Sequence, residues 1–426
     1  MFKFSDFTYK VLTCIVLLCI YLFISSIYTS FVVKSYSYIG YYYYKSFLNE
    51  SISVILLSLS LGLLLILPLK PNVFATSVII KIWFLLPTLI LFAKMNTDVR
   101  IIFSITLFDF LFMVSSFISF RFYTPKIKTK HQVGLMMLIA ILLLIPILIT
   151  FGTSLNFNLL LLKDIYKYRL IARLEANALA SYAMFWTTKV VFPIMLVYGM
   201  IIKNKKLVLF SILSMLFIFL VAGAHKAILF SIVIIIYFYF VKNFYKKIFW
   251  FSLGILVLSI IGVLVYSGKH TYIIADLLIR RSLLELSLLD TFYFKLFDHN
   301  HVYLSHSILK GLITNPFPLP PTFMIGKIYF HSAATNAGNG IISDGFMNFG
   351  MTGVIISILI AVFILNYCLS ANLSHQFFGI IFIIVYGFSA VGILTNILNG
   401  GVFLIILLIQ FILKDLNLDE FAHEKL

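Results

Sequence analysis

Residues 246–270, KKIFWFSLGILVLSIIGVLVYSGKH, decide the fold. Two lysines precede an apolar run over 248–266, and a polar segment follows it. A run of about 20 apolar residues can cross the hydrocarbon core of a bilayer as a helix. A second run, at 352–370, follows the polar segment. We therefore expect two membrane helices, joined by a large extramembrane segment between Ser267 and Gly350.

The rest of the chain repeats this pattern. Apolar residues make up 62% of the sequence and charged residues 11%, whereas soluble domains are about half apolar and about a quarter charged. We therefore predict an all-α polytopic membrane protein of about 12 transmembrane helices, forming a single integral membrane domain over 1–426. The other ten spans are predicted at 11–33, 52–69, 78–93, 101–121, 133–151, 188–203, 207–222, 227–241, 376–392 and 401–414.

Basic residues indicate which ends of these helices lie on the same side of the membrane. Positive charge concentrates in short cytoplasmic loops, which also accounts for the net charge of +17 without a nucleic-acid partner. We therefore expect both termini to be cytoplasmic, and the segments 152–187 and 267–351 to lie outside, with shorter outer loops at 34–51, 94–100, 223–226 and 393–400. The cytoplasmic clusters are Lys3/Lys10, Lys70, Arg121/Lys126/Lys128/Lys130, Lys203/Lys205/Lys206, Lys242/Lys246/Lys247 and Lys414/Lys425.

Cations in the outer segments are candidate anion ligands. Arg169 and Arg173 are four residues apart, so a helix presents them on one face, where they would bind a phosphate or form a solvated basic surface. Lys226 follows a turn between two short predicted helices. A cation at that depth needs an anionic partner unless its side chain extends to the interface.

The segment 267–351 carries the pair Arg280 and Arg281. Consecutive residues on a helix point about 100° apart, so we expect at most one to face a site, and the other either to extend to the membrane interface or to pair with Asp276 or Glu285. The segment also holds five of the nine histidines. Their spacing matches no metal motif, and all three cysteines lie in apolar runs, so we predict neither a metal site nor a disulfide.

Two carboxylates are candidate functional groups. Asp344 lies just before the span at 352–370, where partial burial would make it a usable base, or where it would cap a helix. Asp109 lies within a predicted span, and we expect a structural role with a buried partner. The sequence has neither an Asp-x-Asp motif nor a phosphate-binding Walker A loop, which argues against a nucleotide-fed enzyme.

Taken in order, these motifs resemble the O-antigen polymerase family, the Wzy-type oligosaccharide repeat-unit polymerases. The resemblance covers about 150–370. It rests on the dominant outer segment and on the following motifs: Tyr166-x-x-Arg169 ahead of Trp186 and Pro193, Gly223-Ala224-His225-Lys226, Arg280-Arg281, and Asn339/Asp344-Gly345/Gly350.

This resemblance implies a metal-independent glycosyltransferase with a GT-C-like fold in the bacterial inner membrane, without a cofactor. It would polymerise undecaprenyl-pyrophosphate-linked oligosaccharides into O-antigen or capsular polysaccharide at the periplasmic face, with a flippase and a chain-length regulator as partners. The implied catalytic base is Asp344 or His331. The implied pyrophosphate ligands are Arg169, Arg173, Lys226, Arg280 and Arg281, and the implied glycan ligands are Tyr166, Asn336 and Asn339.

The sequence leaves alternatives open. A lipid-linked oligosaccharide flippase is the main rival, although transporters place ionisable residues at mid-membrane, whereas here they concentrate in outer segments. An O-antigen ligase would use the same outer residues with a different acceptor, and a membrane scaffold remains a third alternative. The sequence also departs from GT-C enzymes with an acidic pair in the first outer loop, since only Glu50 lies there.

Overall fold

The computed structural model describes residues 5–120, 127–152, 155–157, 159, 165–222, 226–269, 273–371 and 373–414. Within these ranges the chain is largely helical and forms no strand; the only β pairing there is an isolated bridge between Lys310 and Ile313. The chain divides into two compact units. The first comprises Met1–Ile118, Asn243–Asn366 and Val385–Ile393, and the second Ser119–Lys242, Tyr367–Ile384 and Leu394–Leu426.

Seven helices in the described ranges are long and apolar enough to cross a membrane, as a polytopic membrane protein requires. They are Asp6–Ile39, Phe47–Ile66, Pro71–Met95, His131–Phe151, Ala178–Ile201, Phe244–Ser267 and Ile341–Ser370. Three shorter apolar helices are Ile228–Phe240, His375–Ala390 and Val402–Leu413. Helices Val99–Ser115 and Lys205–Val221 have 17 residues each. Every predicted span therefore coincides largely with a helix, and the total of twelve membrane crossings stays a prediction.

Helix Pro71–Met95 forms the core of the first unit. Its apolar stretch is buried throughout, as expected of a helix that is hydrophobic on all faces. Phe47–Ile66 packs against its C-terminal half, Leu86–Met95, and Asp6–Ile27 packs along Phe244–Lys269. Side-chain caps set two of the starting points: Ser5 accepts a hydrogen bond from the Thr8 N–H at 3.1 Å, and Ser46 accepts one from the Asn49 N–H at 3.2 Å.

Segments predicted to share a side of the membrane meet within this unit. At one end, the Asn243 amide donates to Asp6 at 2.8 Å, and the Lys10 ammonium lies 5.1 Å from the centre of the Tyr245 ring. All these residues belong to segments with predicted cytoplasmic charge. These two segments therefore meet at one end of the unit, and their cytoplasmic side stays a prediction.

The predicted outer loops also meet one another. Lys94 Nζ lies 2.7 Å from Glu50 Oε1, which joins the loops at 34–51 and 94–100. Arg100 Nη1 lies 2.7 Å from Asp298 Oδ1, which joins the second of these loops to the long outer segment. These contacts agree with the predicted grouping of the outer loops.

The long segment predicted to lie outside belongs to the first unit and contains several helices. It contains the π-helix Asp276–Leu284, the helices Glu285–Leu296 and Pro321–Tyr329, and the start of Ile341–Ser370. The last of these helices is broken at Phe349 and Gly350, where the backbone leaves the helical region and Gly350 adopts φ +61°. The break separates a short helix from the predicted span at 352–370.

The second unit contains the helices between Thr129 and Phe240 together with Tyr367–Ile384 and the residues after Leu394. Helix Ala178–Trp186 begins ten residues before the predicted span at 188–203, because the Asn177 side chain accepts a hydrogen bond from the Ala180 N–H at 2.8 Å and caps it there. The outer segment 152–187 is therefore helical over much of its length, and includes Ile165–Glu175. The remaining helix bounds are Thr129–Phe151, Phe192–Ile201, Lys205–Val221, Lys226–Phe240, Phe378–Ala390, Ile393–Leu398 and Val402–Leu408.

Candidate functional site

The Asp344 carboxylate lies in the short helix that precedes the break at Gly350. Its Oδ2 accepts a hydrogen bond from the Ile393 N–H at 3.1 Å, and its Oδ1 is 3.4 Å from Asn339 Nδ2 and from Asn348 Nδ2. It forms no ion pair with any described residue, and it is partly exposed. Asp344 therefore offers a carboxylate that is held by N–H donors and has no cationic partner among the described residues.

Asn348 connects this carboxylate to the outer segment. Its Nδ2 donates to the Asp344 carbonyl at 2.9 Å, and its Oδ1 accepts from the Leu304 N–H at 2.8 Å. The Val302 N–H donates to the Met347 carbonyl at 2.8 Å. Residues 302–304 are thereby fixed to the helix that carries Asp344.

Two glycines allow the chain to pack closely around Asp344. A Cβ on Gly340 would lie 2.6 Å from the Ser389 carbonyl oxygen, and one on Gly392 would overlap the Asp344 carboxyl group. The Ala337 carbonyl accepts from the Tyr293 hydroxyl at 2.9 Å. A side chain at Gly340 would displace the Ser389 carbonyl, and one at Gly392 would displace the Asp344 carboxyl group. Both positions therefore need glycine for this close packing.

Arg280 and Arg281 enter one ion-pair network. Arg280 is buried; its guanidinium hydrogen-bonds to Asp276, lies 2.6 Å from Glu285 Oε2, and lies over the Tyr36 ring at 5.3 Å. Arg281 Nε lies 3.0 Å from Asp276 Oδ2, and 42% of its side chain is exposed. Of the two arginines, Arg281 is therefore the one with surface available to a ligand.

Burial of this network also affects Glu285. Desolvation raises the pKa of Glu285, and the nearby Arg280 and Arg281 oppose that effect. The two carboxylates and two guanidiniums thus balance one another, and Arg281 is the more exposed of the two cations.

A second cationic centre lies at Arg100, which sequence reasoning missed. Its guanidinium contacts Asp98 Oδ2 at 2.5 Å and Asp298 Oδ1 at 2.7 Å, and it lies 5.2 Å from the centre of the Phe346 ring. The hydrogen bond from Arg100 lowers the pKa of Asp298. The motif Asp98-Val99-Arg100 in a predicted outer loop was a visible signal, but its partner Asp298 lies far away in sequence.

Asp290 is a buried carboxylate that was not predicted from the sequence as a site residue. It accepts a hydrogen bond from the Ser343 hydroxyl, and burial raises its pKa to about 7. Beside it lies a cavity of about 10 Å³, also lined by Thr88 and Ser287, whose hydroxyls are 2.8 Å apart. A cavity of this size holds about one water molecule.

The other predicted site residues are distributed as follows. Asn339 is buried beside Asp344, whereas Asn336 and His331 are exposed, and His331 has a left-handed backbone with φ +53°. Arg169 is partly exposed and Arg173 exposed on helix Ile165–Glu175 of the second unit. The side chains of Tyr166 and Lys226 lie outside the described residues.

The structure therefore brings Asp344 and Asn339 together, and places Arg280 and Arg281 in one network. All four belong to the first unit, and Arg169 and Arg173 belong to the second. Within the described ranges, no three His, Cys, Asp or Glu side chains are grouped so that they could hold a metal ion. Comparison of the chain with protein-family models, curated proteins and solved structures finds no match.

Proposed function

We propose that the protein is a glycosyltransferase that polymerises undecaprenyl-pyrophosphate-linked oligosaccharide repeat units into O-antigen or capsular polysaccharide at the outer face of the bacterial inner membrane. The observation that carries this proposal is Asp344, a partly exposed carboxylate without an ion-pair partner among the described residues. It lies where a large outer segment enters a membrane-spanning helix. A lipid-linked substrate displays its reactive sugar at this level, close to the bilayer surface.

The proposed reaction transfers the growing glycan from its lipid carrier to a new lipid-linked unit. A hydroxyl oxygen of the acceptor sugar attacks the anomeric carbon of the donor, and the bond between that carbon and the pyrophosphate oxygen breaks. The acceptor proton passes to the Asp344 carboxylate, and the pyrophosphate departs with the bonding electron pair. General-base catalysis of this kind contributes about 10²–10⁴-fold to a rate.

Arg281 is the proposed ligand of the departing pyrophosphate. Its side chain is partly exposed, and its Nε is held by Asp276. A guanidinium carries five N–H donors in a planar arrangement that matches phosphate oxygens, and charge-assisted hydrogen bonds to phosphate are strong. In this proposal Arg280 fixes the network through Asp276 and Glu285, Asn339 and Asn336 contact the glycan, and His331 is the alternative base.

The proposal is tested by deleting the gene in the producing cell and resolving its surface glycan on a gel. Loss of the ladder, with a single repeat unit left on the lipid carrier, is the result expected for a polymerase. Long free polymer would instead indicate a ligase, and repeat units retained on the inner leaflet would indicate a flippase. An unchanged ladder would exclude all three roles.

The site is tested by complementing the deletion with Asp344→Asn and with Asp298→Asn as the matched control. Both substitutions remove one carboxylate charge from the first unit, but only Asp344 is the proposed base. We expect no ladder with the first variant and a normal ladder with the second, at equal amounts of membrane-inserted protein. A normal ladder with Asp344→Asn would remove Asp344 as the base.

A further inference from the structure

The outer segment forms a second cavity, open to the protein surface, that the proposed reaction does not use. Its volume is about 360 Å³, and it is lined by residues between Ser305 and Pro320. Small-molecule sites have volumes of about 300–1,000 Å³, so this one suits a ligand the size of a sugar residue. All of its lining belongs to the first unit.

Two polar atoms of the cavity wall are buried without a hydrogen-bond partner among the described residues. They are Ser305 Oγ and His306 Nδ1, and the Ser305 residue is only 2% exposed. Both atoms are out of reach of solvent, so the polar side chains that the cavity offers to a ligand are those of Lys310, Thr314 and Asn315.

The remaining polar groups are mainly hydrogen-bond donors. The Lys310 ammonium forms no ion pair with a described residue. The Asn315 Oδ1 accepts from the Phe317 N–H at 3.1 Å, which leaves its Nδ2 to donate to a ligand. The lining contains hydroxyls from Ser305 and Thr314 but no Asp or Glu side chain.

This lining favours an anionic ligand over a neutral one. Carboxylate and phosphate oxygens only accept hydrogen bonds, and they bind most strongly to charged donors such as Lys310. Neutral sugar hydroxyls donate as well as accept, and the cavity has no carboxylate to accept from them. Its other wall is apolar, with Leu312, Ile313 and Pro320, and suits the C–H face of a pyranose ring.

We propose that this cavity binds an acidic sugar residue of the glycan, a pyranose bearing a carboxylate or phosphate group. The proposal rests on the proposed function for the identity of the glycan. The anionic group contacts Lys310 and Asn315, and the ring lies against the apolar wall. Its role is to hold the substrate chain while its end reacts elsewhere.

The test is a binding experiment on the purified full-length protein in detergent. The probes are hexagalacturonate, an acidic oligosaccharide, and maltohexaose, a neutral one of equal length, with Kd measured by calorimetry. The variants are Lys310→Gln and the matched control Lys327→Gln. Lys327 is also an exposed lysine of the outer segment, on helix Pro321–Tyr329, but it does not line the cavity.

We expect hexagalacturonate to bind more tightly than maltohexaose, and Lys310→Gln to weaken its binding about tenfold, the usual effect of one charge-assisted hydrogen bond. Lys327→Gln is expected to change the Kd less than about twofold. Equal losses in both variants, or no binding of hexagalacturonate to the native protein, would overturn the proposal.

A third probe, phosphatidylglycerol vesicles, distinguishes binding of a glycan from binding of a lipid headgroup. If phosphatidylglycerol vesicles bind in a Lys310-dependent way and hexagalacturonate does not, the cavity binds a lipid headgroup and the proposal fails. The binding measurement does not require polymerase activity. An unchanged glycan ladder in the deletion strain would therefore defeat the proposed function alone, and absence of binding would defeat this site alone.

Discussion

Lys81 Nζ lies 2.7 Å from Asp109 Oδ1 in the interior of the first unit, and neither side chain is appreciably exposed. Asp109 Oδ2 also accepts from the Ser60 hydroxyl at 2.6 Å, and the Lys81 ammonium lies 3.2 Å from the Ser77 hydroxyl. Three apolar helices thus share one buried ion pair. The pair supplies the partner that a buried carboxylate requires.

Removing one member of this pair is predicted to be far more costly than removing both. Asp109→Leu leaves the Lys81 ammonium buried without a counter-ion, which costs about 3–5 kcal/mol, whereas replacing both residues by apolar ones of similar volume is often close to neutral. We expect Asp109→Leu to lose most of the folded protein, and the double variant Lys81→Met/Asp109→Leu to recover it. Thermal unfolding in detergent measures both effects.

The control is the ion pair between Lys94 and Glu50. Its Nζ to Oε1 distance is also 2.7 Å, but both side chains are partly exposed. Exposed pairs contribute about 0.2–1 kcal/mol, so Glu50→Leu should change the unfolding midpoint little. Equal destabilisation by Glu50→Leu and Asp109→Leu would show that burial does not set the cost.

The sequence predicted the helices of this protein better than their contacts. Continuous apolar runs located the helices that coincide with the predicted spans. The early start of the helix at Ala178 was missed, since the capping contact of Asn177 is local and the apolar run begins later. Lys81 was visible as a cation within the predicted span at 78–93 and was overlooked there.

The site was less predictable, because it depends on which helices meet. The Arg100 to Asp298 contact joins residues 198 positions apart, and no local pattern encodes it. The burial of Asp290 and of Arg280 follows from packing against other helices. By contrast, the different surroundings of Arg280 and Arg281 follow from the helical angle between consecutive residues.

Asp290 is predicted to make stability depend on pH. Burial raises its pKa from 3.8 to about 7, so the folded state binds more protons than the unfolded state between these values. Stability therefore falls as the pH rises through this window, by on the order of 4 kcal/mol in total. We expect the unfolding midpoint of the native protein to drop between about pH 5 and about pH 7, and that of Asp290→Asn to drop less.

Asp298→Asn is the control for this titration. The hydrogen bond from Arg100 lowers the pKa of Asp298, so this carboxylate is ionised in both states across the same window and its removal should leave the slope unchanged. If Asp290→Asn and the native protein show parallel pH profiles, Asp290 is not the group responsible.

Substitution of the two adjacent arginines is predicted to have different effects: Arg280→Gln reduces stability, and Arg281→Gln reduces activity. Arg280→Gln leaves Glu285 and Asp276 without their buried cation, so we expect a loss of about 2–5 kcal/mol and little folded protein on size-exclusion chromatography. Arg281→Gln removes a partly exposed group, so we expect less than about 1 kcal/mol of destabilisation. According to the proposed function, this folded variant nevertheless gives no glycan ladder. A full ladder with Arg281→Gln would exclude it as a pyrophosphate ligand.

The helices on either side of the break at Gly350 are in close contact at Gly345 and Gly353. We predict that this contact requires glycine. A Cβ on Gly345 would lie 2.6 Å from the Gly353 carbonyl oxygen and 2.7 Å from the Val354 nitrogen, which are backbone atoms that cannot turn aside. We expect Gly345→Ala to cost about 1–3 kcal/mol through overpacking and to displace the adjacent Asp344. Gly62→Ala is the control, because a Cβ there meets nothing within 4 Å and alanine favours a helix interior by about 0.5–1 kcal/mol. Thermal unfolding should separate the two variants in opposite directions, and equal midpoints would show that the helices move apart without cost.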